Sequence, residues 1–105
     1  MRKAYKVIYE APTSEQRQAI KAKYPTAVCL WRTERDYHAY DEDAQKLVSI
    51  FYGVDPEEAV QRGLIVKEFS MTVDAFDRGL HEIVKADCRV VISDMPSHKE
   101  HITIE

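Results

Sequence analysis

The chain has 105 residues, of which 45% are hydrophobic and 31% are charged, and its formal net charge is −3. This length predicts a single domain, residues 1–105, whose apolar residues can form a core without support from a metal or a disulfide. The negative net charge argues against a uniformly basic surface, and the absence of a leader, lipidation motif or long apolar span predicts a soluble, cytoplasmic protein with no membrane partner.

The charge is unevenly distributed along the chain. The first 35 residues contain eight Lys or Arg and three acidic residues, so they carry +5 and the remainder carries −8. Such an asymmetry can produce one positive face, although ordinary surface charge explains it equally well.

In chain order, the first half of the sequence predicts a strand, a helix and two further strands that form a hairpin. "KAYKVIYEA" alternates in the manner of a strand, and the helix in "APTSEQRQAIKAKYP" begins at Thr13 or Ser14 and ends before Pro25. "TAVCLWRT" and "DYHAY" are predicted to pair with a turn near Thr33–Arg35.

The second half predicts three helices and two strands. Asp41 is expected to cap the helix in "DEDAQKLVSIFYG", which Gly53 ends, and Asp55 to cap the short helix in "DPEEAVQRG". After the strand "LIVKEFSM", Thr72 is expected to cap a helix through "TVDAFDRGLHEIVKAD". Its predicted buried face consists of Phe76, Leu80, Ile83 and Val84.

The chain then ends in the strand "CRVVISDM" and a polar tail, residues 96–105, whose "HITIE" either adds an edge strand or frays. The element order predicts an α+β fold, in which a mixed β-sheet is flanked by three main helices and the core covers about residues 15–95.

Motifs for catalysis and cofactor binding are not found in the sequence. Cys29 and Cys88 each adjoin an apolar run, which predicts two reduced, buried thiols on central strands. Three scattered glycines cannot form a phosphate-binding loop, and His98 and His101 of "HKEH" fit a solvated tail better than a metal site. We therefore expect no cofactor, no metal and no enzymatic activity.

The predicted hairpin combines aromatic and basic side chains. Stacking surfaces could come from Trp31, Tyr37 and Tyr40, and phosphate or base contacts from Arg32, Arg35 and His38. This combination is typical of proteins that bind unstacked bases and the nucleic-acid backbone. Alternatively, Trp31 and Tyr40 belong to the core and Tyr37 lies on the strand surface.

The stretch "IKAKYPTAVCLWRTERDYHAYDEDAQKL" resembles the mismatch-recognition domain, domain I, of the MutS family. "KAKYP" matches a helix end of that domain, "VCLWR" the following strand and "DEDAQKL" the start of the next helix. "IVKEFSMTVDAFDRGLHEIVKADCRVVISDM" is similar to a later strand, helix and strand of the family. The resemblance implies a MutS domain I-like fold and a stand-alone relative of this domain.

In the family, the Phe of a Phe-x-Glu motif wedges beside a mispaired base and the Glu hydrogen-bonds to it. Without gaps, Asp36 lies at the Phe position and His38 at the Glu position, whereas a one-residue shift places Tyr37 and Ala39 there. The resemblance therefore implies binding of DNA, whether single-stranded, duplex or distorted, or of another nucleic acid, without the Phe-x-Glu reader.

The residues expected to bind are Arg32, Arg35, Asp36, Tyr37 and His38, with Tyr37 stacking, His38 contacting a base or phosphate, and the arginines holding the backbone. Two alternatives remain open. The first is a protein-interaction module that kept the fold but lost DNA contact. The second is a small nuclease that uses His38 as a general acid or base.

Overall fold

A computed structural model describes residues 2–104. The chain forms six strands and five helices within this range. In chain order they are β1 (Arg2–Tyr9), α1 (Ser14–Lys23), β2 (Val28–Arg32), β3 (Asp36–Tyr40), α2 (Asp41–Tyr52), α3 (Pro56–Gln61), β4 (Glu68–Thr72), α4 (Val73–Arg78), α5 (Leu80–Lys85), β5 (Val90–Asp94) and β6 (Ser97–Ile104).

Four of the strands form one sheet in the order β4-β3-β2-β5. β2 pairs with β3 antiparallel and with β5 parallel, while β3 and β4 are antiparallel. The predicted α+β fold with a mixed sheet is therefore confirmed.

One face of this sheet carries the main core. Alternate side chains of β2 and β3 point to this face, where α2 and α4 pack against the strands and α5 packs against these two helices. The buried cluster consists of Val28, Leu30, Tyr37, Ala39, Ala44, Leu47, Phe76 and Ile83.

At three of the four helix starts predicted from the sequence, the expected side chain caps the helix. Thr13 and Gln16 form a reciprocal capping box at α1, Asp55 accepts from the Glu58 N–H at α3, and Thr72 caps α4. The predicted cap at Asp41 is wrong. Asp41 is the first residue of α2, with φ 53°, and its carboxylate instead lies 2.8 Å from an Arg17 guanidinium nitrogen.

The third main helix of the prediction is divided at Gly79 into α4 and α5. A Cβ on Gly79 would lie 2.6 Å from Phe51 Cε1, so α2 approaches the chain closely there. The division changes which side chains face the core. Phe76 and Ile83 are buried as predicted, but Leu80 is 46% exposed and Val84 is 72% exposed, so their predicted burial is wrong.

The prediction for the cysteines is confirmed for one residue and wrong for the other. Both thiols are free. Cys29 is buried on β2, an interior strand, whereas Cys88 is half-buried in the connection before β5, which is an edge strand. The apolar run that follows Cys88 enters the sheet only at Val90, so Cys88 itself stays outside the strand.

β1 and β6 form a separate two-stranded antiparallel sheet, here called the ribbon, in which Arg2 pairs with Ile104 and Tyr9 with Ser97. The polar tail thus forms a strand, but it pairs with β1 and not with the main sheet. Tyr5 and Val7 on the ribbon are 63% and 44% exposed.

The helices found in residues 2–104 are too short or too polar to cross a lipid bilayer. In the same range, no three His, Cys, Asp or Glu side chains cluster in a way that could hold a metal ion.

Candidate nucleic-acid interface

The predicted hairpin is present as β2, a tight turn and β3. Trp31 pairs with His38 and Arg32 with Tyr37 across the two strands. The Thr33 N–H donates to the Asp36 carbonyl at 2.9 Å, and the Asp36 N–H donates to the Thr33 hydroxyl at 3.0 Å. These two bonds close the turn at the position predicted from the sequence, without a glycine.

Tyr37 does not occupy the position expected of a stacking residue. Its side chain is 5% exposed and belongs to the core, where its ring meets the Phe76 ring edge-on at 5.1 Å between centroids. A base could reach this ring only if the core opened. The stacking role expected for Tyr37 is therefore corrected, because the alternation of β3 directs it inward.

Asp36 and His38 lie on the opposite face of β3 from Tyr37, since side chains alternate along a strand. Both are half-buried, and their partners on β4 are Thr72 and Ser70. When the chain is aligned with the family without gaps, Asp36 and His38 lie at the Phe and Glu positions, and both side chains face away from the core. The shifted comparison would place the inward-facing Tyr37 and Ala39 there.

Arg32 and Arg35 line an open cleft of about 540 Å³ beside α4. Arg32 shares a face of the hairpin with Tyr37, and its guanidinium carbon lies 5.8 Å from the centre of the Tyr37 ring. The cleft is lined by Arg32, Glu34, Arg35, Thr72, Val73, Asp74 and Arg78.

The predicted site residues therefore fall into two groups. Arg32 and Arg35 meet at the cleft, whereas the cleft lining does not include Asp36 or His38. His38 instead lines a smaller depression of about 290 Å³ with Tyr40 and Ser70.

Sequence reasoning missed Arg78, which completes the cleft from α4. In the sequence, Arg78 lies in the middle of the helix predicted over residues 72–87, outside its predicted buried face, where a basic residue is an ordinary solvent-exposed side chain. Only the tertiary contact between α4 and the hairpin turn brings it near Arg35, through a 2.8 Å bond from the Val73 N–H to the Arg35 carbonyl.

Two cations of the basic first third of the chain are used in internal contacts. The Arg17 guanidinium lies 5.0 Å from the centre of the Tyr40 ring and pairs with Asp41. Lys21 Nζ lies 2.7 Å from Asp43 Oδ1 and donates to the Ala27 carbonyl. Arg17 and Lys21 therefore contribute little to a free positive face.

The contacts around Tyr40 shift the pKa of its hydroxyl. Burial raises the pKa of the Tyr40 hydroxyl, and the Glu68 carboxylate raises it further, while Arg17 acts in the opposite direction. Tyr40 is therefore a neutral, half-buried side chain near neutral pH, and its ring is already covered by Arg17.

A family model and a curated relative both point to the MutS family. A family model described as MutS domain I matches residues 11–103. The DNA mismatch repair protein MutS of Parabacteroides distasonis is 34% identical over 87 residues, which cover 83% of this chain and 10% of that protein. The chain thus spans about a tenth of the length of this relative. No solved structure matches the chain.

The mixed sheet, the flanking helices and the hairpin define a small α+β fold that presents arginines at a hairpin turn. With the match over nearly the whole length, the chain belongs to the MutS domain I family.

Proposed function

We propose that this chain is a non-catalytic, mismatch-repair-related domain that binds DNA or another nucleic acid through the hairpin. One observation carries the proposal: Arg32 and Arg35 are exposed beside the turn and line a single cleft. Arginine is well suited to such a site, because its planar guanidinium donates two parallel hydrogen bonds to phosphate.

We further propose that the Phe-x-Glu reader is not retained. In the gapless register, the carboxylate of Asp36 takes the place of an aromatic wedge and His38 that of the glutamate. A carboxylate has no ring to stack on a base, and phosphate repels it. The inward position of Tyr37 supports this register, because the shifted one requires a buried ring to act as the wedge.

The test is a fluorescence-anisotropy titration with single-stranded, matched duplex and mismatched duplex DNA at two salt concentrations. We expect binding that weakens as salt rises, because phosphate contacts release counterions. Matched and mismatched duplexes should bind with similar affinity. Clear preference for the mismatch would contradict the loss of the reader.

The matched variants are Arg35→Ala and Arg62→Ala. Arg62 carries the same charge but pairs with Glu58 on α3. Arg35→Ala should weaken binding to all DNAs alike and reduce the slope of log affinity against log salt by about one. Arg62→Ala should change neither quantity appreciably.

A protein-interaction module is the second candidate, and the ribbon favours it. Tyr5, Val7 and Ile102 expose apolar surface on the ribbon, which no helix within residues 2–104 covers. Absence of binding to every nucleic acid at low salt would exclude the first proposal and favour this one.

A further inference from the structure

Three arginines from two separate segments converge on the cleft beside the hairpin turn. Arg32 and Arg35 come from the hairpin, and Arg78 comes from the last turn of α4. All three side chains are exposed, so their guanidinium groups can reach a ligand from solvent.

In the described part of the chain, these three arginines form no ion pair with an acid within 4.0 Å. In residues 2–104 the ion pairs of arginine are Arg17 with Asp41 and Arg62 with Glu58, and neither involves the cleft. Glu34 and Asp74 also line the cleft, yet neither lies within 4.0 Å of a guanidinium nitrogen there. Three cations and two acids line the cleft, and Asp94 is the register partner of Arg32 on β5, so the cleft offers a ligand unpaired guanidinium groups and not a net positive charge.

Hydrogen bonds hold the backbone segments that carry the three arginines in place. The Val73 N–H holds the Arg35 carbonyl at 2.8 Å, and the Met95 N–H holds the Arg32 carbonyl at 2.8 Å. The Thr72 hydroxyl caps α4 by accepting from the Ala75 N–H at 3.0 Å. A ligand would therefore order three side-chain ends without having to order the backbone.

The number of donors indicates the chemistry of the ligand. Guanidinium groups bind phosphate oxygens through paired hydrogen bonds, and a terminal phosphate monoester offers three charged oxygens, whereas a backbone phosphodiester offers two, as a carboxylate does. The cleft of about 540 Å³ also leaves room for the sugar and base attached to a phosphate.

We propose that Arg32, Arg35 and Arg78 together hold one phosphate group of a nucleic-acid strand. This inference rests on the proposed function and adds to it a residue outside the hairpin. The phosphate belongs either to the strand backbone or to a 5′-terminal monoester; both present charged oxygens to the guanidinium groups, two in the diester and three in the monoester.

The experiment compares the wild type with Arg78→Ala, Arg78→Lys and Arg89→Ala. Arg89 is exposed and lies outside the cleft, so its removal changes the net charge equally. Each protein is titrated by anisotropy with one single-stranded sequence in three forms: 5′-phosphorylated, 5′-hydroxyl and circular. Thermal unfolding of each variant verifies that it is folded.

Arg78→Ala should weaken binding by about tenfold or more, as expected when a charged hydrogen-bond donor is lost. Arg78→Lys should recover part of the affinity, because it keeps the charge but not the planar donor fork. Arg89→Ala should weaken binding much less. A loss for all three strand forms would assign a backbone phosphate to the cleft, and a loss restricted to the 5′-phosphorylated strand would assign a terminal one.

Equal affinities for the wild type and Arg78→Ala, or equal losses in Arg78→Ala and Arg89→Ala, would overturn this inference while leaving the proposed function intact. Failure of the wild type to bind any strand at low salt would overturn both.

Discussion

The two thiols of the chain differ in how far water reaches them. Cys29 is 5% exposed on β2, with its Sγ 3.9 Å from the Ala27 carbonyl. Burial raises the pKa of the Cys29 thiol, and the Asp43 carboxylate raises it further. Burial also raises the pKa of the half-buried Cys88, with Lys46 acting against it.

These surroundings predict unequal labelling by a thiol reagent. Because a raised pKa lowers the thiolate fraction at a given pH, both residues should react more slowly than a free thiol, and faster as pH rises. Cys88 should react first, and Cys29 only after denaturant is added. The measurement is mass spectrometry after timed labelling, with Cys88→Ser as the control that isolates Cys29. Native labelling of Cys29 as fast as that of Cys88 would contradict the structure.

At the candidate site, the sequence predicted the residues of the hairpin but not their directions. Alternation in "DYHAY" shows that Asp36 and His38 share a face, yet it does not say which face is covered. Only the packing of α2 and α4 shows that Tyr37 points inward. Arg78 was not predictable for a similar reason, since a contact between distant segments brings it to the cleft.

Among the elements, the strands and most helix starts were predictable because their signals are local. Thr13, Asp55 and Thr72 each cap a helix through an atom three residues away. The error at Leu80 arose from treating residues 72–87 as one helix with one continuous face. Gly79 interrupts that helix where Phe51 approaches it, so α5 presents Ile83 to the core and Leu80 to solvent.

This interruption predicts opposite outcomes for two substitutions in α5. Ile83→Ala removes a side chain that is 3% exposed and should lower the free energy of unfolding. The expected loss is about 2–5 kcal/mol. Leu80→Ala, in the same helix, should cost within about 0.5 kcal/mol, as surface changes usually do. Urea denaturation followed by circular dichroism measures both. If Leu80→Ala lowers the free energy of unfolding as much as Ile83→Ala does, residues 72–87 present one continuous face to the core, contrary to the structure.

At the scale of the whole molecule, the dimensions of 57 × 28 × 26 Å describe an elongated particle. The main sheet and its helices account for the buried cluster, while β1 and β6 pack extensively only on each other among the described elements. Sequence alternation predicted β1 as a strand, but its partner lies at the other end of the described chain, and local patterns do not specify so distant a pairing.

The ribbon has a consequence for the order in which the chain folds and opens. Its pairing joins residues near the two ends of the described chain, so the loop-closure entropy is large until the intervening segment is compact. With little packing beyond its own hydrogen bonds, the ribbon should form last and open first. Amide hydrogen exchange should therefore be faster at Val7 and Lys99 than at Leu30 on β2. Equal protection at these sites would mean that the ribbon and the main sheet unfold as one cooperative unit.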